Sequence, residues 1–258
     1  MANKAVVTLA GGKYLAGAAV QLMELRHLGC DWDYHLLTVP GDEVPDSYRV
    51  LFASMGVQIR EVSDYLGHPW TAKCSAIREL IDTDVLFLDS DCIPLVNPEV
   101  LRLDPRYQKA GSIFWRDFGV IRRDNILHGL LGVAPFEDFE TESGQILINT
   151  RRCRAGLDAM REINLRWEEI YAKVHGDKDT WHFAWKKAGL TWEWGSSNIG
   201  IILDDHGHGR AIIQKWGDQP VFHHRCHAKF SVTGDVWHQA GLPLRWLEHL
   251  EAVKSRVR

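Results

Sequence analysis

The sequence predicts an α/β protein in which a mixed, mostly parallel sheet is flanked by helices, and three observations carry that prediction. Over residues 5–88 short apolar runs alternate with stretches of helical periodicity, the pattern of strand-helix-strand units. Glycines punctuate that pattern, with Gly11 and Gly12 after the first run and Gly29 and Gly56 after the first two helices. Finally, the apolar run 85–88 stops at Asp89 and Asp91, and ligands of parallel sheets bind beyond the strands' carboxyl ends.

Taken in order, residues 5–9 read as a buried strand meeting a tight turn. Leu15, Ala18, Ala19, Leu22, Leu25 and Leu28 recur at helical spacing over 15–28. A strand at 35–39, a turn at 40–47, a helix at 48–55 and a strand at 57–62 follow. Thr71 is placed to cap a helix over 72–81. The second half is less regular, with strands expected at 112–115, 145–149, 199–203 and 211–213. Helices are expected at 155–165 and at 180–188, the latter capped by Asp177 or Asp179. Between the strands at 112–115 and 145–149, residues 123–142 read as a long mixed loop, and loops of that length are usually functional or mobile.

Composition narrows the function classes. A chain of 258 residues can bury a substantial core, and its formal net charge of −4 argues against wrapping a nucleic acid backbone. Cys30, Cys74, Cys92, Cys153 and Cys226 are scattered, odd in number and without CxxC spacing, so they read as reduced thiols in a cytoplasm-like compartment. No span approaches the roughly 20 apolar residues of a membrane helix, which predicts a soluble or peripheral protein with no transmembrane segment. Most of the eleven tryptophans are expected to be packing residues, although indole faces also suit sugar rings.

The chemistry starts at Asp89 and Asp91. Two hard anionic oxygens at a strand end suit magnesium or manganese, while a pair of solvated aspartates stabilising a turn is the plainer alternative. Residues 86–101, LFLDSDCIPLVNPEVL, resemble the LFLDADxxxxxNxxxLF segment of nucleotide-sugar glycosyltransferases of the GT-A fold, in particular the glycogenin-like family 8. Residues 6–29 resemble that group's opening strand and helix. The segments FWRD (114–117), ESGQILIN (142–149) and GDKDTWHFAW (176–185) resemble the Trp-Asp, Ser-Gly and GDKDT motifs of related fungal α-mannosyltransferases. Ordered matches across most of the chain weigh more than any single DxD.

The resemblance implies one GT-A domain over 1–258, with about 1–110 binding the nucleotide sugar and about 111–258 the acceptor. It implies a retaining transfer of a hexose from GDP-mannose or a UDP-hexose to a glycan, glycoprotein or glycolipid, with Mn2+ or Mg2+ as cofactor and no nucleic acid partner. Asp89 and Asp91 would be metal ligands, joined by His223, which is separated from Lys229 by five residues as the family pattern asks; His224 or His227 takes the role if the register differs. Lys73 would reach the donor and Lys229 would add a second cation. Thr8, Ala10, Gly11 and Tyr14 would line the base and ribose pocket, with Ser90 also on the donor. Trp115, Asp117, Ser143, Gly144 and Gln145 would surround the sugar and acceptor, Trp115 being as well suited to the core. Asp177 matches an aspartate on the donor sugar, and Lys178 stands where glycogenin-like enzymes carry a glutamine near the anomeric carbon. Two other readings stay open. One is a haloacid-dehalogenase-like phosphatase with Asp89 as nucleophile, Asp91 as acid, and Asp204 and Asp205 as a magnesium pair; the other is a carbohydrate-binding relative without turnover.

Overall fold

A computed structural model describes residues 3–203, 206–207, 209–226, 230 and 243–257. In chain order the elements are β1 (Asn3–Leu9), α1 (Leu15–His27), β2 (Asp33–Thr38), α2 (Asp46–Ser54), β3 (Ile59–Glu61), α3 (Pro69–Arg78), β4 (Thr83–Leu88) and β5 (Cys92–Pro94). Next come α4 (Glu99–Arg102), α5 (Pro105–Ala110), β6 (Ser112–Ile121), α6 (Leu127–Leu131), β7 (Asp138–Asn149), α7 (Arg154–Asn164), α8 (Trp167–Ile170) and α9 (Trp181–Lys187). β8 (Glu193–Trp194), β9 (Gly200–Leu203), β10 (Gly209–Trp216), β11 (Gln219–His224) and α10 (Leu244–Val257) complete the order.

The large sheet runs β3-β2-β1-β4-β7-β6-β8, with β3, β2, β1 and β4 mutually parallel and β7 antiparallel to both β4 and β6. A strand's side chains alternate between faces, and the core divides accordingly. Val6, Leu36, Leu86 and Leu88 pack on the side of α1 and α10, whereas Val7, Leu37, Val85 and Phe87 pack on the side of α3, α7 and α9. The small sheet runs β5-β11-β10-β9 and has one consequence for the site: it pairs β11 with β5, directly after the aspartates.

Several elements differ from the sequence expectation for identifiable reasons. α3 begins earlier, at Pro69, whose fixed φ suits a helix's first turn; His68 Nδ1 accepts the Trp70 N–H at 3.2 Å, and the Thr71 hydroxyl donates instead to the His68 carbonyl. The expected loop 123–142 holds α6 and the first part of β7, which extends to Asp138 against β6. Asp177 and Asp179 form a one-turn 3-10 helix before α9 and neither caps it with its side chain. α1 is buried on nearly all sides, and its small residues allow close approach: a Cβ on Gly17 would stand 2.4 Å from the Ser90 carbonyl oxygen.

α10 packs on α1 and brings Arg245 and His249 to Glu24, a fully buried carboxylate. Arg245 Nε donates to Glu24 Oε2 at 2.7 Å and His249 Nε2 lies 3.4 Å from the same oxygen. No helix among the described residues is long and apolar enough to cross a membrane, and all five cysteines are free.

His182 on α9 gives the fold a pH signature. Its ring is buried among Phe114, Trp192 and Trp194, with Thr141 Oγ1 2.8 Å from Nδ1. Burial, reinforced by Lys186 and Lys178, pushes its pKa down to about 3. Between about pH 6.5 and 3 the unfolded chain binds a proton that the folded chain refuses, so stability falls with pH by up to ~1.4 kcal/mol per unit. In urea titrations at pH 7 and pH 5, His182→Asn is expected to flatten that slope by about 1 kcal/mol per unit; equal slopes in variant and wild type would contradict the assignment.

Candidate active site

β1 is paired on one side with β2 and on the other with β4, so the chain reverses its direction of winding between β1 and β4. A crevice at such a point is where open sheets bind ligands. Here it is a cleft of about 320 Å³ lined by Leu9, Tyr14, Asp89, Ser90, Asp91, His224 and Cys226.

The turn carrying the aspartates is held from three directions. Asp89 N–H donates to the Gly144 carbonyl at 2.8 Å, and Cys92 N–H donates to the Asp89 carbonyl at 2.8 Å. From α1, the fully buried Gln21 donates through Nε2 to the carbonyls of Asp89 (2.8 Å) and Cys92 (2.7 Å). Its Oε1 accepts from the Thr8 hydroxyl (2.7 Å) and the Tyr34 hydroxyl (2.8 Å), which exhausts the amide's capacity of two donors and two lone pairs. Thr8 is therefore committed beneath the turn, with no exposed surface, and does not line the cleft as the sequence suggested.

β11 supplies the histidine. In register with β5, His224 stands opposite Cys92 and His223 opposite Ile93. Strand alternation turns the two rings to opposite faces. His224 Nε2 lies 3.3 Å from Asp91 Oδ1, whereas His223 packs on Trp246 at 5.1 Å between ring centroids and has no hydrogen-bond partner among the described residues. The sequence preference for His223 is thus reversed in favour of its neighbour. Asp89, Asp91 and His224 each offer an atom within 4.8 Å of the others. Two carboxylates and an imidazole fit a manganese-like or magnesium-like ion.

Charge at this centre is strongly coupled. Burial opposes a charge on His224, but Glu142 and Asp91 outweigh it and hold its pKa well above the ordinary value. Burial, with Arg225 adding, pushes His223 down to about 4, in keeping with its packing on Trp246. Burial likewise raises the Asp89 carboxyl, with Lys73 opposing and Asp91 reinforcing. A bound dication would reverse that last effect.

Beside the aspartates lies a buried cation. Lys73 Nζ stands 3.2 Å from Asp177 Oδ2 and 3.4 Å from Asp89 Oδ1, and donates to Ser143 O (2.7 Å) and Oγ (3.0 Å). Trp181 Nε1 donates to Asp177 Oδ2 at 3.0 Å, and Ser143 Oγ donates to Oδ1 at 3.3 Å. Burial works against the charge on Lys73, yet Asp177 and Asp89 prevail and raise its pKa. Lys73, Asp177, Ser143, Asp89, Asp91 and Tyr14, all singled out from sequence, therefore do converge.

Others do not. Lys178 is drawn aside by Asp117 (3.1 Å), Glu140 (2.7 Å) and Asp179 (2.8 Å). Its partner Asp117 lines a second cleft of about 310 Å³ with Arg116, Phe118, Phe139, Ser197, Asn198 and Ile199. Trp115 and Gln145 are fully buried: Trp115 Nε1 donates to the Lys215 carbonyl, and Gln145 Oε1 accepts from the Cys92 thiol. Neither can touch an acceptor. Ala10 is buried behind the turn, and Gly11 packs under the Asp42 side chain, which a Cβ would meet at 2.4 Å. His227, Lys229, Asp204 and Asp205 lie outside the described residues.

Sequence reasoning missed Gln21 and Glu142, and it set Gly144 beside the acceptor, whereas the structure sets it against the His224 ring. A Cβ on Gly144 would stand 2.5 Å from His224 Cε1. Gly144→Ala is accordingly expected to displace the imidazole, with overpacking costing ~1–3 kcal/mol and manganese affinity falling at least tenfold. Calorimetric titration with manganese and a denaturation curve check both, and wild-type values in each would refute the steric account.

Fold and centre together define an open α/β chain with an acidic site able to hold a metal ion where the strand order reverses beside β1. A family model described as "Mannosyltransferase putative" matches residues 83–129, which take in β4 and both aspartates. An alpha-1,2-mannosyltransferase of Candida albicans is 24% identical over 81% of this chain and 46% of its own length, so the chain spans about half of that relative. Among solved structures, the galactosyltransferase LgtC, crystallised with donor and acceptor sugar analogues, is similar with a TM-score of 0.64 at 17% identity, over 96% of this chain and 95% of that one. The glycosyltransferase GlyE of Streptococcus pneumoniae is similar with a TM-score of 0.56 at 15% identity, over 99% of this chain and 63% of that one. The chain thus has the GT-A fold and resembles glycosyltransferases that share it.

Proposed function

We propose that the protein is a metal-dependent, retaining hexosyltransferase that moves a hexose from a nucleoside diphosphate sugar to a hydroxyl of a glycan, glycoprotein or glycolipid. The observation that carries this reading is the convergence of Asp89, Asp91 and His224 with the buried Lys73–Asp177 pair at one crevice. The similarity to a fungal mannosyltransferase, with Lys178 in place of a glutamine, favours mannose as the hexose and GDP-mannose ahead of a UDP-hexose. The phosphatase reading is not favoured, since the fold matched over nearly the whole chain is that of glycosyltransferases.

Asp89, Asp91 and His224 would hold Mn2+ or Mg2+, and the ion supplies charge neutralisation to a departing diphosphate. Tyr14, half exposed at the cleft, offers a ring face to the nucleoside, and Ser90 lines the same wall. Lys73 adds a positive charge fixed by Asp177 and Ser143, so little reorganisation accompanies charge development nearby. Asp177, oriented by Trp181, serves the donor sugar. Lys178 acts at a remove, tying the turn that carries Asp177 to Asp117 and Glu140. Lys229 remains part of the proposal as a second cation. Residues 1–110 contribute Tyr14, Lys73, Asp89 and Asp91, and 111–258 contribute Ser143, Asp177 and His224. One core cluster draws on both halves, from Val6 to Val253, which supports a single domain. The free cysteines support a reducing, cytoplasm-like compartment.

A thermal-shift panel of GDP- and UDP-sugars tests the reading, because a ligand selective for the folded state raises stability by ~2.7 kcal/mol at a hundredfold excess over Kd. One nucleotide sugar, expected to be GDP-mannose, should raise Tm only with manganese present. If no nucleotide sugar shifts Tm with or without manganese, the reading is lost.

A further inference from the structure

One irregularity organises the centre. Between Phe114 and Trp115 of β6, the register of β7 jumps from Ile146 to Glu142, leaving Ser143, Gly144 and Gln145 as a bulge. That bulge sends Ser143 to Lys73, the Gly144 carbonyl to the Asp89 N–H, and Glu142 to His224. Bulges re-aim side chains in this way and gather near active sites.

Glu142 is buried, and its Oε1 accepts the Gly144 N–H at 2.8 Å, so its carboxylate is fixed by the backbone of its own bulge. The same oxygen lies 3.3 Å from His224 Nδ1, while His224 Nε2 faces Asp91, also at 3.3 Å. The imidazole therefore lies between two carboxylates, one facing each nitrogen, and Nδ1 has no other partner among the described residues. Its ring edge is confined by Gly144, where even a methyl group has no room. A histidine that ligates a metal through one nitrogen commonly gives its other N–H to a carboxylate, which fixes tautomer and ring orientation.

We propose that Glu142 is the positioning residue of the metal centre: it holds His224 with the proton on Nδ1 and so dedicates Nε2 to the ion shared with Asp89 and Asp91. The inference rests on the metal-dependent reading above. It adds that the divalent-ion affinity of this chain depends on a residue that touches neither ion nor substrate.

Manganese titration of the full chain by calorimetry tests it. Loss of such an outer carboxylate typically costs 10- to 100-fold in affinity, and Glu142→Leu is expected to fall in that range. Glu142→Gln keeps the shape and an oxygen facing Nδ1, and is expected to recover most of the affinity. Nitrogen-detected NMR of the zinc-loaded wild type supplies a readout free of any variant: His224 should carry its proton on Nδ1 and the metal on Nε2. The inference alone is overturned if Glu142→Leu binds manganese as tightly as wild type, if Gln and Leu lose affinity equally, or if zinc sits on Nδ1. Wild-type protein that binds neither ion overturns both this inference and the reading beneath it.

Discussion

Asp91→Ala is expected to abolish transfer, lowering turnover by ~10³-fold or more, while leaving Tm close to that of the wild type. Asp91 is buried, faces His224, and shares the centre with Asp89 and a histidine. On the metal-dependent reading proposed above, removing one of three ligands forfeits most of an ion's contribution, which is several kcal/mol of transition-state stabilisation, and each ~1.4 kcal/mol is tenfold in rate. The fold has less at stake. Asp91 adds to the forces that raise the Asp89 carboxyl, so its loss relieves a like-charge repulsion, which offsets the loss of the charge that faces buried Arg225, and Glu142 still faces His224. The measurement is single-turnover transfer from the donor selected by thermal shift, with manganese affinity and Tm taken on the same preparation. Wild-type turnover both in Asp91→Ala and in the presence of a chelator would remove the metal from the mechanism.

Lys73→Met is expected to damage both stability and activity. Its ammonium lies between Asp177 and Asp89, with 7% of the side chain exposed against 10% for Asp177. Removing one partner of a buried pair leaves an uncompensated charge, at a cost of ~3–5 kcal/mol. Adding Asp177→Asn removes that charge and is expected to restore most of the stability, by the logic of a double-mutant cycle. It does not restore a cation beside Asp89, so transfer should stay at least ~10²-fold down. Urea denaturation and turnover of the single and double variants separate the two effects. A single variant as stable as wild type would mean that the lysine is not a partner on which Asp177 depends.

The parallel half of the fold was legible because its signals are local. Residues 85–88 are apolar without interruption, Asp89 and Asp91 end the run, and glycines close the first two helices. The centre was legible only where one segment carries its own chemistry. Choosing between His223 and His224 needs the pairing of β11 with β5, a contact across more than a hundred residues of chain, and adjacent strand residues face opposite ways. Glu142 was hidden because 123–142 reads as loop, although its end is strand and the bulge begins there. Gln21 lies in a helix buried nearly all round, where no polar face marks it out; a lone amide within LAGAAVQLMEL was the available signal. Trp115 and Gln145 matched motifs and still proved to be interior, since a motif names positions and not the direction of side chains.

α10 bears on how the molecule comes into being. It neutralises Glu24, which sits one turn along α1 from the glutamine that grips the aspartate turn, and its Trp246 supports the ring next to His224. During synthesis, every ligand of the centre emerges from the ribosome before this helix does. A nascent chain at that stage has its chemistry spelled out yet lacks Arg245 and His249, the α10 partners of the Glu24 carboxylate in α1.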